Sequence, residues 1–167
     1  MYKRQELGFS DFAGSTLVHS TGGAAALAGA MIIGPRLGRF TKTGSPAPLK
    51  PFAASSIPLV TLGVFVLWLG WFGFNGGSQL AMGTADDAIA VSTIFMNTFL
   101  AGAGGVIGAA IITRLHFGKT DVVQMLNGCI GGLVAVTAEP LAPSPLAAIL
   151  IGAVGGLIVV YGTKLLF

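Results

Sequence analysis

Gly70-Trp-Phe-Gly-Phe-Asn-Gly-Gly-Ser78 falls within an apolar stretch, 57–82, that contains no charged side chain. An α-helix rises ~1.5 Å per residue, so about 20 apolar residues cross the ~30 Å hydrocarbon layer of a bilayer. The stretch is long enough to cross, and it is one of five. The others lie near 11–34, 88–115, 122–139 and 144–166, separated by proline, glycine and charge. The fold class is therefore all-α, a polytopic transmembrane helix bundle. The fourth stretch, bounded by Asp121 and Glu139-Pro140, is the shortest and has room for little tilt.

Composition agrees. The 167 residues are 53% hydrophobic and 9% charged, with a mean hydropathy of +0.84, far from the ~25% charged of soluble domains. The net charge of +3 does not indicate nucleic-acid binding, because the basic residues cluster between helices, where membrane topology accounts for them. One cysteine, Cys129, forms no disulfide within the chain and reads as a small packing residue. The polar opening, residues 1–6, followed by a long run rich in glycine and alanine, does not read as a secretory leader.

Loop charge sets an orientation. Arg36, Arg39, Lys42 and Lys50 lie between the first two stretches, and Asp86 and Asp87 lie between the second and third. By the positive-inside rule the proline-rich linker 35–56 is cytoplasmic, the first helix starts outside and the chain ends inside. Lys3 and Arg4 are the misfit, since this topology puts them outside. With that linker the whole of 1–167 reads as a single membrane domain. Small residues recur at every fourth position in Gly22/Ala26/Ala30, Ala101/Gly105/Ala109, Gly128/Gly132 and Ala148/Gly152/Gly156, rows that let helices approach closely.

Few residues carry chemistry. His19 sits within the first stretch, and a helix starting at Asp11 would bury it ~12 Å deep. Hydrocarbon tolerates ionisable groups poorly, so His19 is either a neutral histidine bonded to a neighbouring helix or a proton-handling group on a narrow path. Asp11 fits a helix cap, an electrostatic role at an external mouth, or both. Trp68, Trp71, Phe72 and Phe74 precede Asn75 and Ser78. Aromatic faces at that depth bind a small cation or seal a pore against water. A glycine-rich break after Phe74 would turn backbone carbonyls and the Ser78 hydroxyl toward a vestibule. Asn97 and Asn127 fit interhelical hydrogen bonds, and His116 fits a solvated loop. No metal-ligand spacing, phosphate-cradling loop or paired nucleophile and base is present, which argues against an enzyme and against a cofactor.

Asp11-Phe-Ala-Gly-Ser-Thr-Leu-Val-His19, Gly70-Trp-Phe-Gly-Phe-Asn-Gly-Gly-Ser78 and Leu126-Asn-Gly-Cys-Ile-Gly-Gly-Leu-Val-Ala-Val-Thr137 resemble, in order, three stretches of the ammonium transporter (Amt/Mep/Rh) family. The resemblance runs from about Gly8 to the end and leaves residues 1–6 outside it. It implies an eleven-helix protomer built of inverted repeats, assembled as a homotrimer in a bacterial-type cell membrane, with this chain as the fifth to ninth helices. Residue by residue, it makes His19 the first of two paired pore histidines, Phe74 a gate phenylalanine and Ser78 a hydroxyl of the external ammonium site. Trp71 joins that pore and substrate set, and Asp11 and Asn75 take structural or electrostatic roles.

The second pore histidine, the other gate phenylalanine and a vestibule tryptophan have no counterpart here, so the chain reads as a fragment that would not close a pore alone. The function implied for the whole protein is ammonium/ammonia transport, with the cation recruited outside and deprotonated before it crosses. The alternative is an ammonium sensor on the same fold. A PII-type cytoplasmic regulator is an implied partner, and the basic linker lies on the side such a protein would reach.

Overall fold

A computed structural model describes residues 7–35 and 54–166. The linker 35–56, expected to be cytoplasmic, falls outside these residues except at its ends, as do Lys3 and Arg4. The described residues form five helices: α1 (Ser15–Ile33), α2 (Ile57–Gly77), α3 (Ala85–Phe117), α4 (Val122–Val136) and α5 (Pro145–Leu166). All but α4 are long and apolar enough to cross a bilayer. The chain is thus an integral membrane protein.

Each helix begins where a side chain takes over its free N–H groups. The Ser56 hydroxyl accepts from Leu59 N–H ahead of α2, and the Asp121 carboxylate accepts from Gln124 N–H ahead of α4. At α3 the bonding is reciprocal: Thr84 Oγ1 accepts from Asp87 N–H, while Asp87 accepts from Thr84 N–H. Gly118 ends α3 in the left-handed region (φ 70°) and its carbonyl accepts from Arg114 Nη1.

The core is a three-helix layer in which α3 packs against both α4 and α5, joined on α3's flank by α2. Three of the four small-residue rows make this layer. Gly105 lies directly on the backbone of Gly128, Gly132 and Gly152 lie on that of Ala101, and Gly156 on that of Gly105. Ala101, Ala109 and Ala148 are fully buried. A Cβ at any of these glycines would meet main chain, so the separation of the axes is set by backbone contact rather than by interdigitated side chains.

The fourth row behaves differently. A Cβ at Gly22 would meet nothing within 4 Å, and no residue of α1 from Ser15 to Ile33 is fully buried. Among the described residues, the backbone of α1 approaches only α4, and only through its first turn and a half. Leu27, Met31, Ile32 and Ile33 stand exposed beyond it.

Three of the expected bounds shift at the end of the bundle where α1 starts. The first helix starts at Ser15 rather than Asp11, the second stops at Gly77 rather than at 82, and the fourth stops at Val136 rather than at 139. In the first case Asp11 uses its side chain to cap the helix and so stands outside it. In the second, Gly76 and Gly77 are followed by a turn in which Leu80 takes a positive φ of 60°, which no helix continues through. Asn97 also differs from the interhelical expectation: its Nδ2 donates to the carbonyls of Pro140 (3.0 Å) and Pro143 (2.8 Å), fastening the α4–α5 loop to α3. Asn127 is exposed.

Candidate functional site

One end of the bundle, where α1 starts and α2 and α4 finish, brings together most of the residues singled out from sequence. It is built from Asp11 upward. Asp11 Oδ1 accepts from the N–H of Gly14 (3.2 Å) and Ser15 (2.8 Å), and Oδ2 accepts from those of Thr16 and Leu17 (both 2.9 Å). One carboxylate thereby satisfies donors that a helix start leaves free, at the positive end of its dipole. Burial alone would raise the carboxyl pKa. The N–H groups of Leu17, Thr16, Ser15 and Gly14 outweigh it and hold the pKa below its ordinary value.

The turn between cap and helix requires glycine. Gly14 has φ 106°, and a Cβ there would stand 2.7 Å from Val18 Cγ2. From Ser15 to Ser20 the chain then winds as a π-helix, a wider turn than the α form and frequent at functional sites. His19 lies in it. Because the helix starts at Ser15, His19 is ~6 Å from the helix start, not the ~12 Å that a helix beginning at Asp11 would give.

The His19 ring stacks on Trp71, with centroids 4.9 Å apart and planes 16° from parallel, and meets Phe74 at 5.5 Å and 50°. Trp71 and Phe74 pack edge to face at 6.1 Å. These two α2 residues share a helix face. His19 Nε2 is buried and has no hydrogen-bond partner among the described residues. The reading of His19 as a histidine bonded to a neighbouring helix gains no partner at this atom.

Other site residues are held in place by hydrogen bonds. Trp71 Nε1 donates to Thr137 Oγ1 at 2.9 Å. Asn75, fully buried, donates through Nδ2 to Thr98 Oγ1 at 3.0 Å and ties α2 to α3. Ser78 Oγ donates to the Phe74 carbonyl at 2.8 Å. This corrects the expected glycine-rich break: α2 is continuous past Phe74, and the carbonyl that was to face a vestibule receives the Ser78 hydroxyl instead. With its proton so engaged, Ser78 offers outward only its acceptor lone pairs. Trp68 stands apart, stacked with Phe65 and Phe99 and packed against Gly102.

Sequence reasoning gave no role to Thr137, Thr98 or the backbone of Phe12 and Ala13. Phe12 N–H donates to Ala138 O (2.8 Å) and Ala13 N–H to Thr137 O (3.1 Å), while Ser15 Oγ donates to Val134 O (3.1 Å). The start of α1 is thus pinned along the end of α4. Thr137 closes the third quoted stretch, but nothing in a single sequence pairs it with a tryptophan 66 residues earlier.

A polytopic helical membrane protein with an imidazole held against two aromatic rings at one end of its bundle is the class defined by this fold and site. Residues 3–167 match the Ammonium Transporter Family, and the chain belongs to that family. The match reaches Lys3, so the opening residues from there onward share the family pattern, contrary to the sequence-based expectation. The chain is 43% identical over 155 residues to ammonium transporter Amt2 of Archaeoglobus fulgidus, covering 93% of this chain and 32% of that protein. Among solved structures it is similar to a Sensor Amt Protein, with TM-score 0.83 and 37% identity over 94% of this chain and 37% of the other. It is likewise similar to Saccharomyces cerevisiae Mep2, with TM-score 0.76 and 33% identity over 91% and 32%. The chain spans about a third of the length of the relatives it matches.

Proposed function

We propose that this chain forms one wall of a pore that conducts ammonium nitrogen across a membrane, in a protein whose other wall is supplied by further helices. The observation that carries the proposal is the bare, buried Nε2 of His19, held against Trp71 and Phe74 at the outer end of the bundle. The open face of α1 and its unused Gly22/Ala26/Ala30 row support a wall completed from outside this stretch. Inverted-repeat transporters place their sites between halves in this way. In this reading the whole protein is an eleven-helix protomer assembled as a homotrimer, which family membership supports.

The chemistry proceeds from outside inward. Ser78 lone pairs and the exposed Phe74 ring attract a small cation, an aromatic face contributing up to about 2 kcal/mol once water is removed, while Trp71 backs His19. A bare cation in hydrocarbon is prohibitively unstable, whereas neutral ammonia enters a dry channel readily. The N–H bond therefore breaks near this mouth, its proton passing to water there or to the lone pair of His19 Nε2, which otherwise hydrogen-bonds the ammonia. Asp11 keeps a negative charge beside the mouth and fixes the helix that bears His19. The loop charges support a cell-membrane orientation with α1 starting outside and the chain ending inside. In that orientation the basic linker belongs to the side from which a PII-type regulator would act.

A second reading, an ammonium sensor, is favoured by one observation, the similarity to the Sensor Amt Protein. The two part in a growth test. Cells lacking their own ammonium uptake, given the whole protein, are expected to grow on limiting ammonium at acidic pH, where little ammonia leaks through lipid. Absence of growth despite ammonium binding to the purified protein would favour the sensor.

A further inference from the structure

We infer that Thr137 is a positioning residue for His19, fixing both the ring against which the imidazole lies and the start of the helix that carries it. The inference rests on the reading of His19 as the pore group. Thr137 is fully buried, and its hydroxyl has a fixed sense: Oγ1 donates its proton to Leu133 O at 2.7 Å. A lone pair is therefore what it presents to Trp71 Nε1–H at 2.9 Å. The indole, itself buried, is held at one edge and cannot rotate about its bond to the backbone without leaving that N–H unpaired.

The same residue acts through its main chain on the other partner of the stack. Its carbonyl accepts from Ala13 N–H, between Ala138 O and Val134 O, which accept from Phe12 N–H and Ser15 Oγ. Those three contacts set where the π turn begins, and His19 lies in that turn. Trp71 comes from α2 and His19 from α1, and among the described residues the backbones of α1 and α2 do not pack together. Their shared reference is the end of α4, with Thr137 at its centre. Loss of the hydroxyl frees the indole plane, and with it the direction of Nε2, while leaving the backbone bonds in place.

The test uses the whole protein that contains this chain, with three substitutions. Thr137→Val keeps the shape and removes the hydroxyl, Thr137→Ser keeps the hydroxyl, and Trp71→Phe keeps a ring and removes the N–H. The readout is the rate at which diethyl pyrocarbonate modifies His19, followed by peptide mass spectrometry with His116 as an internal reference. Thr137→Val and Trp71→Phe are each expected to raise the His19 rate at least threefold relative to His116. Thr137→Ser should match the wild type, and the Val/Phe double variant should equal either single one. Ammonium flux should fall about tenfold in maximal rate in Thr137→Val with its half-saturation unchanged, and recover in Thr137→Ser. An unchanged His19 rate in both Thr137→Val and Trp71→Phe, or equal changes in Thr137→Ser and Thr137→Val, would overturn the inference. Should the wild type carry no flux, the transport proposal fails, and the modification rates still judge Thr137.

Discussion

Asp11 and Gly14 show how much of the site depends on single residues outside its ring cluster. The Asp11 carboxyl accepts four backbone bonds and is held below its ordinary pKa, so folding favours its charged form. Its stabilising contribution is full above the ordinary carboxylate range and is lost as the pH falls from there through the lowered folded value. Asp11→Ala is expected to destabilise the protein by about 1–2 kcal/mol at neutral pH. The gap in melting temperature between variant and wild type should stay constant above ~pH 5 and close below ~pH 4. Gly14→Ala should cost about 1–3 kcal/mol, because alanine is strained at φ 106° and its Cβ would press on Val18; a thermal melt with no shift would mean the turn differs from the one described. His19, Trp71 and Phe74 were legible at this scale because an imidazole and a cluster of rings inside apolar runs stand out by type. Thr137 was not, since a threonine ending an apolar helix has many uses and only the fold reveals its partner.

At the scale of elements, hydropathy sufficed to place the helices, and small residues marked helix faces that pack closely in three of the four rows. Ala101/Gly105/Ala109, Gly128/Gly132 and Ala148/Gly152/Gly156 interlock main chain against main chain. Gly22/Ala26/Ala30 looks the same in sequence and meets no other helix among the described residues. A periodic row signals that close packing occurs, and it does not say with what. Gly152→Val is expected to destabilise the fold by more than about 3 kcal/mol, because its Cβ would be driven into the Ala101 backbone. Size-exclusion chromatography of the detergent-extracted protein should show loss of the folded species. The ends of helices were less legible than their middles, since they are decided by side chains folding back on backbone: Asp11 moves the start of α1 to Ser15, and the Ser78 hydroxyl, bonded to the Phe74 carbonyl, accompanies an α2 that runs on to Gly77.

The whole molecule has a packed side and an open side. Helices α3, α4 and α5 bury one another, with α2 on their flank, while α1 carries His19 on a rod that, among the described residues, is held only at its start. That asymmetry suits one wall of a larger protein, and the chain's coverage of about a third of its relatives agrees. The proposed transport requires that the bare His19 Nε2 face the permeating species. Ammonium-driven flux and current in proteoliposomes carrying the whole protein, compared between wild type and His19→Ala, test it most directly. The expected result is at least a tenfold loss of the wild-type flux, or loss of the current that accompanies it, with the variant folded as judged by its melting temperature. Unchanged flux and unchanged current in a folded His19→Ala protein would contradict it, and His19 would then be a packing residue.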